Sequence, residues 1–475
     1  MEDLKRVFIK GGILSPSELK QIINYATSLG LDALHFGSRQ DIIFPYHEKN
    51  TAIDQQFPEL STSMISDTEY DNLVCSYVAA DIFTNTSWLS GVTYLYILES
   101  FKYQPKLKVN ITDPKQQLVP LFNGQLNFIA SENEDYWYLH LILPNWEKPV
   151  YYPVLIYSWD ISKTAKTIED IYTDADDIEE LFTLVNDILE TNNRTIENPL
   201  KVDFKPFPYY EGMNKMGINQ YWLGLYWRNN RYYLPFLKEF CDFCLDNKIG
   251  KICITPWKSI IVKGIPKTSK LMLEKLLGKS GINVRHSLLE LNWHLPVNDD
   301  EALTLKKFIV QNFDQNDIST YGLTFAISNG SDKRKYFTSI VIEKNSAPTI
   351  VQDFQVRPTY NVLYCENFNP NTQKYIVYAQ DVDKIEVSGL LMELSKNYFN
   401  QFGNEITDDD ADVKKPKETV KEEAHQCAEC FTIYSEVYGD ENNNVKPGTL
   451  FKDLSTNYKC SVCEAPISSF KLVEM

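Results

Sequence analysis

The chain has 475 residues, with 47 Lys and Arg against 64 Asp and Glu and a formal net charge of −17. That length exceeds one ordinary core and suggests about three domains, while the acidity excludes non-specific nucleic-acid binding, which needs a basic footprint. No run approaches the roughly 18 apolar residues of a membrane span, and the opening MEDLKRVFIKGG lacks the apolar stretch of a secretory leader; we therefore expect a cytoplasmic protein with neither nucleic acid nor membrane as a partner.

In chain order, the first element read is a helix in LSPSELKQIINYATSLG. Ser15 is a natural N-cap, Pro16 suits the first turn and Glu18 completes a capping box. Leu19, Ile22, Ile23 and Ala26 form its apolar face, Gly30 ends it, and the strands ALHF and DIIF follow. The same plan returns 218 residues later in LPFLKEFCDFCLDNKIGKICITPWKSIIVKGI, where Leu237, Phe240, Cys241 and Cys244 replace the first apolar face and KICI and SIIV replace the strands. A duplicated body is the expectation. Further strands are read in LKVNI, YWYLHLIL, YYPVLIYSW and YFTSIVIEK, and further helices in IEELFTLVNDILETN, SKLMLEKLLGKSG, EALTLKKFIVQNF and SGLLMELSKNYFNQF. The mixture predicts an α+β fold, with one half over 1–230 and a second over 231–404.

Residues 405–424 are charged in both signs and almost free of large apolar side chains, so they cannot bury a core and should form a flexible linker. Beyond it, over 425–475, Cys427, Cys430, Cys460 and Cys463 make two Cys-x-x-Cys pairs with 29 residues between them. Four thiolates in two pairs build a tetrahedral S4 site, which suits zinc or a single iron; spacing alone does not choose. Cys241 and Cys244 also form such a pair, but they lie inside a helical apolar period, where Cys acts as a small hydrophobe.

The segment between the terminal pairs carries Tyr434, YGD, KPGTLFKDL and Tyr458, with Phe470 beyond, and across 425–472 it resembles rubredoxin. That resemblance implies one iron on the four cysteines, cycling between ferric and ferrous states. Phe431 and Glu464 stand where rubredoxins usually carry Gly, Ser461 replaces the usual Pro and Tyr458 the usual Trp; the Gly positions raise the question of backbone strain.

The body, over much of 7–290, resembles the sulfite and nitrite reductases that bind sirohaem, through GSRQDIIF, DNLVCSYVAADIF and QPKLKVNI. The resemblance implies that Arg39, Lys106 and Lys108 direct cationic groups at sirohaem carboxylates and a bound oxyanion. Asp71 departs from the family's pattern by standing where Arg is usual. The four cysteines of the family's four-iron four-sulfur cluster are missing from GINVRHSLLELNWHLP, where His286 and His294 are the nearby imidazoles. No such cluster is expected. The resulting expectation is an iron-binding electron-transfer protein that serves a redox partner in nitrite or sulfite reduction. The alternatives are an altered sirohaem-dependent reductase and a non-redox interaction protein with a zinc clip.

Overall fold

The computed structural model describes the chain except for residues 1–2, 47–50, 59, 61, 65–71, 228, 330–335, 346–349, 352–353, 356–357, 403–422, 431, 437–438 and 475. Asp71, Phe431 and nearly all of the expected linker therefore lie outside the described residues. Contacts divide the chain into two units, Met1–Gly403 and Asn404–Met475.

The first helix forms over Pro16–Ser28 with both halves of its capping box: Ser15 Oγ accepts from the Glu18 N–H at 3.1 Å, and the Ser15 N–H donates to Glu18 Oε2 at 2.7 Å. These bonds satisfy orphan donors that the first turn would otherwise leave open. Leu19, Ile22, Ile23 and Ala26 are buried, and so are Leu237, Phe240, Cys241 and Cys244 on the helix Leu234–Asp246. All eight contribute to a single shared core, so the two helices bury their apolar faces together.

The duplication is written into the strand orders. One five-stranded antiparallel sheet runs Tyr232–Tyr233, Ala33–Phe36, Ile42–Tyr46, Asp3–Val7, Thr62–Met64. Its counterpart runs Ile13–Leu14, Ile252–Ile254, Ile260–Pro266, Gln220–Leu225, Gly212–Met216. Each sheet borrows its edge strand from the other repeat: Tyr232 pairs with Leu34, and Leu14 with Ile252. Such an exchange closes two sheet edges at once and makes the repeats interdependent.

Two further sheets, a large one of seven strands and one of five, follow the same duplicated logic. In the first, Val74–Cys75, Val109–Thr112 and Leu126–Ala130 pair in parallel, and Tyr136–Leu141 then joins antiparallel. In the second, Trp293–His294, Phe325–Ser328 and Ile340–Lys344 are parallel and Tyr360–Cys365 joins antiparallel. The helices Ile178–Ile188, Lys270–Lys279, Asp300–Gln315 and Lys384–Phe402 fall on the predicted runs. The helix Gly91–Ser100 lies outside the predicted helical runs. Its GVTYLYILES is rich in β-branched and aromatic residues, yet Ser90 caps it and Tyr94, Ile97 and Leu98 are buried, so packing overrides local preference.

Candidate metal centre

The C-terminal unit contains a small antiparallel sheet in which Glu423–Cys427 lies between Ile433–Tyr434 and Phe470–Glu474. Two tight turns present the cysteines. In the first, the Cys427 N–H donates to the Thr432 carbonyl at 2.9 Å; in the second, the Cys460 N–H donates to the Ala465 carbonyl at 2.8 Å. The turns are matched, and each presents its two sulfurs to the other.

All four sulfurs lie within 4.8 Å of one another. Cys427 Sγ is 3.6 Å from Cys463 Sγ, and Cys430 Sγ is 3.5 Å from Cys460 Sγ. A disulfide would need about 2.05 Å, whereas a tetrahedron with metal–sulfur bonds of about 2.3 Å sets sulfurs roughly 3.8 Å apart. The arrangement thus fits one tetrahedral ion on four thiolates. Cys427 and Cys460 are 0% and 1% exposed, Cys430 is half-buried and Cys463 is exposed. One edge of the centre therefore faces solvent while the other is dry.

An aromatic cluster backs the centre. Tyr434, Tyr458 and Leu454 are buried, with Phe451 and Phe470 packed on them. Tyr458 packs against Tyr434 and Phe470 with ring centroids 5.8 and 5.9 Å apart. Both phenols are anchored: Tyr434 donates to the Thr449 carbonyl at 2.9 Å and Tyr458 to Asp440 Oδ2 at 2.7 Å. Tyr458 thus fills the place of the family's usual Trp while satisfying its own hydroxyl. The Thr432 hydroxyl, first, and its backbone N–H hold the Cys430 thiol below its ordinary value, at about 6, because donors to sulfur favour the thiolate.

The other cysteines are differently placed. Cys241, Cys244 and Cys253 are buried in the body, and burial pushes the Cys241 thiol up to about 12 and the other two thiols upward as well. These are packing residues, not poised thiolates. His286 is tied by Nδ1 to Glu211 Oε1 at 2.6 Å, and the His294 ring packs on Phe337 with centroids 4.7 Å apart.

Arg39 is 9% exposed. Its guanidinium donates to Asn110 Oδ1 at 2.7 Å and to the carbonyls of Asn72 and Val109 at 2.8 and 3.1 Å. Asn72 in turn donates to the Arg39 carbonyl at 2.6 Å and accepts from the Ile9 N–H at 2.9 Å. Arg39 therefore ties the strand turn to the first large sheet. Lys106 is exposed and Lys108 half-buried, just ahead of the strand Val109–Thr112. The backbone N–H groups of Lys106 and Leu107 donate to Glu169 Oε2, and that of Lys108 donates to Gln125 Oε1 at 2.8 Å.

A cavity of about 310 Å³ opens elsewhere in the body, walled by Tyr226, Trp257 and Trp293 and reached by His35 and Lys258. Lys258 is 5% exposed; burial drives its ammonium down to about 7, against the opposing pull of Asp41 and Asp299. His35 is driven down to about 4, again by burial first. Lys258 carries no sequence motif of its own, but the repeat marks it: it follows Gln40 by the same 218 residues, and both hold a left-handed turn, at φ 58 in each case.

Comparison with known proteins agrees with this division. The Rubredoxin family pattern matches residues 424–470. The rubredoxin of Synechocystis sp. is 40% identical over 60 residues, which are 12% of this chain and 52% of that protein. The high molecular weight rubredoxin of Moorella thermoacetica is 32% identical over 60 residues, 13% of this chain and 26% of that protein. This chain thus spans about half of the first relative and a quarter of the second. Rubredoxin 4 of Rhodococcus sp. is 35% identical over 51 residues, 11% of this chain and 85% of that protein. Among solved structures, the Mycobacterium tuberculosis NirA protein superposes with a TM-score of 0.63 over 85% of this chain and 83% of its own, at 13% identity. The chain has a body with the NirA fold, and through the four-cysteine domain that follows, it belongs to the rubredoxin family.

Proposed function

We propose that this is a cytoplasmic one-electron carrier whose C-terminal iron centre exchanges electrons with a redox partner protein, in service of nitrite or sulfite reduction. The observation that carries the reading is the set of four sulfurs within 4.8 Å of one another, in a segment of rubredoxin sequence. Bound there, one iron would supply a single-electron couple with no substrate bond to make or break. The chain's own residues hold the four thiolates at fixed separation, which limits reorganisation. The ring cluster of Tyr434, Tyr458 and Phe470 excludes water on one side, and Cys463 leaves an exposed sulfur edge for electron entry and exit. The NirA fold of the body supports the link to oxyanion reduction.

The altered sirohaem reductase has less support. The Arg39 guanidinium already serves three protein acceptors, and the Lys106 side chain is exposed.

Metal analysis and a visible spectrum of the full-length protein, made in iron-replete medium, test the proposal. About one iron per chain, as one S4 site demands, and a red ferric–thiolate spectrum bleached by dithionite are expected. Zinc alone with no visible absorption overturns the reading and leaves the structural clip.

A further inference from the structure

The two cysteine turns share a backbone hydrogen bond but differ in side chain. Thr432 and Ala465 each lie two residues past the second cysteine of their pair. Each accepts, through its carbonyl, the N–H of the first cysteine: Cys427 for Thr432 and Cys460 for Ala465. Each also turns its own N–H to the sulfur of the second cysteine. Only Thr432 adds a hydroxyl. Its Oγ1 lies 3.1 Å from Cys430 Sγ and has no other hydrogen-bond partner among the described residues.

We propose that in the iron-loaded centre the Thr432 hydroxyl donates a hydrogen bond to the Cys430 sulfur and raises the reduction potential of the site. The proposal rests on the iron reading above. A metal-bound cysteine is a thiolate, which can only accept, so the hydroxyl is the donor across this contact. Four thiolates with ferric iron carry a net charge of −1, and with ferrous iron −2, so the sulfurs hold more negative charge in the reduced state. A donor aimed at one of them stabilises that state more, and second-shell donors tune a metal in this way. Cys430 is only half-buried and Cys463 is exposed. Solvent reaches both, but among the described residues only Cys430 has a side-chain hydroxyl beside its sulfur.

The tests use the full-length iron protein. Thr432→Val keeps the branched shape and removes the donor, Thr432→Ser keeps the donor, and Ala465→Ser offers the second turn the donor it lacks. Spectroelectrochemical titration reads the midpoint potential, and the sulfur-to-iron charge-transfer bands give an independent signal. The expected result is a lower potential and red-shifted bands for Thr432→Val, because a sulfur without its donor gives electron density to iron more freely. Thr432→Ser should hold the wild-type potential and Ala465→Ser should raise it. Equal potentials and bands in wild type and Thr432→Val overturn the proposal. If Thr432→Val does not load iron, the other two variants decide: a Thr432→Ser potential at the wild-type value with a raised Ala465→Ser potential supports the assignment, and an unmoved Ala465→Ser potential overturns it. Failure of the iron reading itself is distinguishable, since a zinc protein shows no charge-transfer bands in any variant.

Discussion

The side chain of Gln40 donates to the carbonyl oxygen of Ile254 at 2.9 Å, joining two strand turns that lie more than two hundred residues apart in sequence. The same amide group donates to the Cys75 carbonyl at 3.1 Å, and Gln40 Oε1 accepts from the Cys75 N–H at 2.7 Å. Gln40 is fully buried, so no water stands ready to replace it. Gln40→Ala should leave three buried backbone groups unpaired and cost about 2–4 kcal/mol of stability. Chemical denaturation of the full chain, followed by tryptophan fluorescence, checks this; a change under about 0.5 kcal/mol, the range of an ordinary surface substitution, contradicts it.

Arg39 and Lys106 should separate cleanly in the same assay. Arg39→Met strips the donors from Asn110 Oδ1 and from the carbonyls of Asn72 and Val109, at an expected cost of about 3 kcal/mol or more. Lys106 is exposed, and Lys106→Ala should stay within about 0.5 kcal/mol of wild type. Equal losses from the two substitutions would contradict the assignment of Arg39 as a tie within the protein.

The body should lose stability on acidification in two windows. The Lys258 ammonium falls from 10.5 to about 7 on folding, by burial. The unfolded chain therefore binds more protons between those values, and stability is fully present above pH 10.5 and is lost as pH falls toward about 7. His35 and His140 fall from 6.5 to about 4, also by burial. Their contribution is present above pH 6.5 and is lost as pH falls toward about 4. Lys258→Met should flatten the upper window, by a few kcal/mol at most, and leave the lower one unchanged. Denaturation midpoints between pH 4 and pH 10, ends chosen to span roughly the ordinary histidine and lysine ranges, give the comparison. An upper window that persists in Lys258→Met would show that another group titrates there.

Glu464 holds φ 60 in the second cysteine turn, a left-handed backbone that costs an L side chain roughly 1–2 kcal/mol. It is exposed, so its side chain has little packing to lose. Glu464→Gly should stabilise the cysteine domain by about 0.5–1 kcal/mol once the greater freedom of unfolded Gly is counted, whereas Glu464→Ala should not. Thermal loss of the ferric–thiolate absorption reads that domain specifically. A Gly variant that bleaches no later than wild type would remove strain as the reason that glycine suits this position.

Features that depend on neighbours along the chain could be read from the residues alone. The capping box at Ser15 and Glu18, the apolar faces of both repeated helices and the four sulfurs of the metal centre were all legible, because each follows from fixed spacing and side-chain chemistry. The left-handed backbone at Glu464 was foreshadowed by the rubredoxin resemblance, because glycine is usual at that position. Tertiary structure alone decided the exchange of edge strands between repeats and the use of Arg39 on protein carbonyls. It also decided why Lys258 borders a cavity while Gln40, its repeat mate, is fully hydrogen-bonded. Those outcomes depend on which buried groups meet across long stretches of chain, and a buried donor is settled by the acceptors that folding brings to it, not by its own neighbours in sequence.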